Sequence, residues 1–243
     1  MHKDVTIGLV VPFAVDEVPD EGLQMYPGAR FIPRGVGVRS LTPTGYDSAW
    51  EGILPAADHL AEKGVDAIMV IGTSLTFYRG ADFHDELLAK LRTRTGLPVS
   101  TMSQAVVDGL RRFDAQRIVV ATAYADEVNN RLRAFLEAQG FEVLGLEGFG
   151  LFGFGEPGKM SETDIIALGS KLCAAAPDAE GLLISCGGLR TLGVARPLEE
   201  RHRVPVVSST QAAFWAAMRL VGESGHVAGR GMLLEQSVAA PVH

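Results

Sequence analysis

The sequence is short of cysteine, of positive charge and of long hydrophobic runs, and each shortage removes a class of function. Only Cys173 and Cys186 occur among 243 residues, which supplies neither a disulfide framework nor the ligand spacing of a metal site. Lys and Arg total 22 against 29 acidic residues, for a formal net charge of −7. The arginines stand singly or in short groups such as Arg111 and Arg112, so a phosphate-binding surface for nucleic acid is not expected. No stretch approaches the roughly 18 apolar residues of a membrane span. The opening "MHKDVTIGLVVPF" soon meets Pro12 and acidic residues, unlike a secretory signal. A cytoplasmic monomer is expected, with no metal, no membrane partner and no nucleic-acid partner.

What is present suits a large soluble core: 47% of residues are hydrophobic, with 28 Gly and 12 Pro. Seven short apolar runs recur at 5–12, 66–74, 97–103, 117–124, 141–148, 181–188 and 204–210. Helix-length amphipathic segments lie between them, such as "GYDSAWEGILPAADHLAEKG" and "ADEVNNRLRAFLEAQG". Near-continuous apolar strands alternating with such helices predict an α/β fold with a parallel sheet covered on both faces. Ligands of such sheets bind beyond the carboxyl ends of the strands. The residues there are Pro12, Gly72-Thr73-Ser74, Ser103, Tyr124, Cys186-Gly187-Gly188 and Ser208-Ser209.

A weak internal repeat organises these positions. "LPVSTMSQAVVDGLRR" aligns without gaps on "VPVVSSTQAAFWAAMRL", and "MVIGTS" then parallels "LISCGG". Two similar α/β halves facing a cleft are therefore expected, residues 1–112 with 214–243 forming one and 113–213 the other. In this superposition Gly72 falls opposite Cys186.

Most candidate motifs have an ordinary structural reading beside a functional one. "GFGLFGFGEPG" (148–158) contains two overlapping G-x-G-x-x-G matches. A dinucleotide loop opens directly into a helix, whereas here Ser161 and Asp164 place the helix start later, in a capping-box pattern. An aromatic loop over a pocket, carrying Phe152 and Phe154, and a plain surface loop both remain open. Thr73 and Ser74 are either helix caps or donors for a carboxylate. Tyr124 is either a half-buried tyrosine or a phenol reaching the cleft. None of the six histidines lies near Cys186 in sequence, so no local Cys–His pair is seen. Cys173 reads as packing. A lone Cys186 is most simply a small buried residue, although its strand-end position also suits a reactive thiol.

Taken together, "MVIGTSLTFYRG", "TMSQAVVDGL", "VVATAYADEVNNRLRAFL", "LLISCGGLRTL" and "VPVVSSTQAAFW" resemble the arylmalonate decarboxylases, within the aspartate/glutamate racemase and maleate isomerase superfamily. The resemblance implies two pseudo-symmetric halves, each a four-stranded parallel sheet flanked by helices, with the active site between them. Racemases and isomerases of the superfamily usually carry one cysteine per half, and this chain keeps the second only. The resemblance further implies cofactor-free decarboxylation of α-aryl or α-alkenyl malonates to chiral monocarboxylic acids. Cys186 would then be the proton donor, and Thr73, Ser74, Tyr124 and Gly187 a dioxyanion hole. Pro12, Gly72, Gly188, Phe152 and Phe154 are further pocket candidates. The chain departs from the family where Phe13 follows Pro12 and in its bulky Gly/Phe loop. An isomerase or racemase of a small dicarboxylate or amino acid is the alternative enzyme, and a non-catalytic carboxylate-binding protein the alternative of another class.

Overall fold

The computed structural model describes residues 5–235. His2, His243 and the ends of the first-half assignment, 1–4 and 236–243, lie outside them. The first half runs β1 (Thr6–Val11), α1 (Asp20–Met25), β2 (Arg30–Gly35), α2 (Pro43–Trp50), α3 (Ile53–Glu62), β3 (Ala67–Val70), α4 (Thr73–Phe77), α5 (Ala81–Thr95), β4 (Val99–Thr101) and α6 (Met102–Arg111). The chain continues with β5 (Arg117–Tyr124), α7 (Asp126–Ala138), β6 (Glu142–Leu151), α8 (Glu162–Ala175), β7 (Gly181–Ser185), α9 (Ala195–His202), β8 (Val206–Ser208), α10 (Ser209–Leu220) and α11 (Met232–Glu235). Two four-stranded sheets result, ordered β2-β1-β3-β4 and β6-β5-β7-β8, and every strand pairing in them is parallel.

Of the inner strands, β1, β3 and β7 are buried along their whole length and β5 along all but Arg117, which is what continuous apolar runs require when helices cover both faces. The eighth strand, β2, carries no such run. Its sequence "RFIPRG" is half exposed, and as an edge strand it tolerates Pro33, which lacks an amide to donate. The segment expected as one helix over 45–64 is two, broken at Glu51 and Gly52. The helix after the Gly/Phe loop starts where expected, with the Ser161 side chain accepting from the Asp164 amide.

The register reproduces the internal repeat. Ile68 pairs with Val99 and Val70 with Thr101, while Leu182 pairs with Val206 and Ile184 with Ser208. Counting two residues on from Val70 and from Ile184 brings Gly72 and Cys186 to equivalent strand ends. Helices α6 and α10, which follow the equivalent strands β4 and β8, pack on each other. Each also reaches the opposite sheet, α6 touching β7 and β8 and α10 touching β3 and β4. The cut at residue 214 thus falls inside a helix that both sheets share. The terminal α11 rests on α9, β8 and α10. No helix among the described residues is long and apolar enough to cross a membrane.

Candidate active site

A cavity of about 260 Å³ opens where the carboxyl ends of β1, β3 and β7 meet. Pro12, Gly72, Thr73, Ser74, Phe154, Cys186, Gly187 and Gly188 all line it. The strand-end serines Ser103, Ser208 and Ser209 do not, nor do two of the site candidates, Phe152 and Tyr124. Phe152 points away and is 60% exposed, since the backbone clamp between its carbonyl and the Leu41 amide turns the loop so that Phe154 faces inward. There Phe154 meets Phe13 edge-on, ring centroids 6.1 Å apart. Tyr124 is fully buried just behind the lining.

The first strand end turns at Gly72, whose φ of 117° begins α4 directly. A side chain there would be strained in any rotamer, and its Cβ would press on Leu75. The first amides of α4 have no partner within the helix and sit beside the Thr73 and Ser74 hydroxyls. The second strand end turns differently. After Cys186 the chain makes a tight turn, Leu189 N donating to Cys186 O at 3.2 Å and Gly188 N to the Cys186 Sγ at 3.5 Å.

Both loops are held by equivalent clamps. The Ser103 hydroxyl donates to the Thr73 carbonyl at 3.0 Å, and the Thr210 hydroxyl donates to the Gly187 carbonyl at 3.3 Å. Across the cleft Thr73 Oγ1 donates to Ser209 Oγ at 2.8 Å, while within the first half the Gly72 amide points at Met102 Sδ, 3.4 Å away.

Electrostatically the thiol is surrounded by neutral hydroxyls, with the ionisable Asp20, Glu21 and Arg190 elsewhere on the cavity wall. Burial pushes the Cys186 thiol up, only partly offset by the Gly188 amide and the Tyr124 hydroxyl. Burial, then the neighbouring Cys186 and Tyr46, hold the Tyr124 phenol well above its ordinary value, with Ser74 and Ser185 drawing it partly back. The Tyr124 and Tyr46 hydroxyls have no hydrogen-bond partner among the described residues. A buried hydroxyl left unpaired carries a desolvation cost of about 1–3 kcal/mol. Two such groups beside one thiol mark a place where a bound acceptor would repay it. Tyr124 is fixed from behind, because Asn129 donates to its carbonyl and accepts from Thr122. A Cβ at Gly148 would collide with that same carbonyl, so this glycine of the G-x-G-x-x-G match serves close backbone approach in β6.

Tyr46, Glu21 and Arg190 also line the cavity, and sequence reading had no means to select them. Tyr46 lies within a helix, away from any strand end. Glu21 sits in the acidic run "DEVPDEG", indistinguishable from a solvated surface. Arg190 is the one cation on the wall among the described residues.

The family model for arylmalonate decarboxylase matches residues 7–234. The chain belongs to the arylmalonate decarboxylase family. It is 42% identical over 233 residues to the arylmalonate decarboxylase of Bordetella bronchiseptica, covering 96% of this chain and 97% of that one. A solved structure of an arylmalonate decarboxylase in liganded form, carrying a glycine-to-cysteine and a cysteine-to-serine substitution, superposes with a TM-score of 0.94. It has 41% identity and covers 96% of this chain and all of that one. The two residues replaced in that family member are separated by the same number of positions as Gly72 and Cys186 here. The maleate isomerase of Nocardia farcinica is a more distant relative, 25% identical over 96% of each chain.

Proposed function

We propose that this family member is a cofactor-free carboxy-lyase that converts α-aryl or α-alkenyl malonates into chiral monocarboxylic acids. The observation that carries the reading is a single buried, protonated thiol facing a loop of neutral donors, with glycine at the position where a second thiol would stand. One malonate carboxylate binds Thr73, Ser74, Tyr124 and the Gly187 amide. The other lies against apolar walls such as Val38, Leu41 and Leu75, where neutral CO2 is favoured over a carboxylate.

Loss of CO2 leaves an electron pair on the α-carbon, spread over the aryl or vinyl group and the retained carboxylate as an enediolate. Each donor aimed at that growing charge is worth about 3–4 kcal/mol. The Cys186 S–H then delivers its proton to one face of the carbon, and solvent restores the thiol. A thiol held neutral by burial is suited to that task. Gly72 leaves the opposite face without an acid, which argues against a racemase or isomerase that needs one on each side. Phe13 and Phe154 narrow the compartment for the α-substituent. We take the protein to act as a monomer on a small molecule, and we place it in the cytoplasm.

Incubation with phenylmalonate under pH-stat control tests the reading: CO2 release with proton uptake is expected. Binding of phenylmalonate without turnover would overturn it in favour of a carboxylate-binding protein.

A further inference from the structure

Glu21 belongs to α1 in the first half, yet its carboxylate bonds to Thr191 and Leu192 of the second. Oε1 accepts from the Thr191 amide at 2.5 Å and the Leu192 amide at 3.1 Å, and Oε2 lies 3.2 Å from the Thr191 hydroxyl. Thr191 is gripped from its other side as well. Its hydroxyl is 3.0 Å from Ser208 Oγ, and its carbonyl accepts from Gln211 Nε2 at 3.0 Å. Thr191, Ser208 and Gln211 are all buried, so this polar network exchanges little with water and holds one arrangement.

The placement of the network matters for the thiol. Cys186 leaves β7 and the chain stays irregular until α9, with Gly187 and Gly188 offering no side chain to anchor it. The start of this loop is fixed by the sheet and by Thr210 on the Gly187 carbonyl; its exit is held within the second half by Gln211 on the Thr191 carbonyl and Glu162 on the Gly193 amide, and to α1 of the first half by Glu21. Glu21 is also a lining residue of the cavity, and its carboxylate, turned to Thr191 and Leu192, bridges the two halves where they must keep their spacing. Two backbone amides converging on one carboxylate oxygen are charge-assisted bonds, stronger than neutral ones.

Resting on the decarboxylase reading, we infer that Glu21 is a positioning residue that clasps the exit of the thiol loop to the first half and so sets which face of the substrate carbon Cys186 reaches. It donates no proton and touches no reacting atom.

The test uses Glu21→Gln and Glu21→Asp, with 2-methyl-2-phenylmalonate as substrate and iodoacetamide as a probe of Cys186, read by peptide mapping. Misplacing a reacting group by about 1 Å costs on the order of 10²-fold. Glu21→Gln is therefore expected to lower kcat by about ten- to a hundredfold. KM should stay within about twofold, since no substrate contact is removed. Enantiomeric excess should fall, and alkylation of Cys186 should accelerate severalfold. Glu21→Asp, which keeps the charge on a shorter arm, should lie between. A lower melting temperature with kcat, enantiomeric excess and alkylation rate unchanged in both variants would reduce Glu21 to a structural role and overturn the proposal. If one variant does not fold, the other decides. If the wild-type protein releases no CO2, the decarboxylase reading fails, while the alkylation comparison, which needs no substrate, still decides whether the clasp exists.

Discussion

The ends of β3 and β7 occupy equivalent places in two sheets of the same strand order, yet they do opposite jobs. After β3 the chain turns through glycine at φ 117° and goes straight into a helix, presenting amides and hydroxyls. After β7 it carries a thiol into a tight turn and delays its helix to Ala195. The clamps behind both loops are the same, a Ser103 or Thr210 hydroxyl on the carbonyl that follows. Equivalent scaffolding with unequal tips supports the proposal that one loop holds charge and the other gives a proton.

The largest effect should come from removing the unequal element. Cys186→Ala is expected to lower kcat by about 10²–10⁴-fold, the usual contribution of a positioned acid, with the melting temperature nearly unchanged; undiminished turnover would contradict the assignment. The pH dependence follows from the same thiol. Its pKa is raised above the ordinary 9.0 by burial, and in the proposed mechanism the protonated form is the active one. A kcat profile that stays flat through pH 9 and declines only above it is expected, whereas a decline centred below pH 8 would show a depressed thiol.

Next in size is the donor set. Tyr124→Phe removes a hydroxyl that has no partner among the described residues, so thermal unfolding should show equal or higher stability. Turnover should nevertheless fall about 10²-fold, as for loss of one oxyanion donor. The smallest effects belong to the clamps: Ser103→Ala and Thr210→Val should each cost about 1 kcal/mol in denaturant unfolding. Only Thr210→Val should also loosen product stereochemistry, because its carbonyl partner adjoins the thiol.

Much of the architecture was legible because parallel strands buried on both faces write themselves as apolar runs, and the repeat in "TMSQA" and "SSTQA" marked the pseudo-symmetry that the sheet register reproduces. Strand β2 was not legible, since an edge strand with Pro33 and two arginines carries no such run. The strand-end rule led to Cys186, Thr73, Ser74 and Gly187, because their places depend on local chain order. It had no reach to Tyr46 and Glu21, which long-range packing brings to the cavity, and the Gly/Phe loop read apart from it could not show the direction of Phe152, which is set by a backbone bond to Leu41.

The comparison is tested most directly by exchanging the two tips. In Gly72→Cys combined with Cys186→Ala, the thiol moves to the equivalent strand end across the cleft. Strain at the positive φ should cost about 1–3 kcal/mol of stability, so activity is compared per folded molecule. With 2-methyl-2-phenylmalonate, chiral chromatography should show the opposite enantiomer of 2-phenylpropionate to that of the wild type. The wild-type enantiomer in undiminished excess would contradict the account, because the proton would then be arriving from something other than the thiol at either strand end.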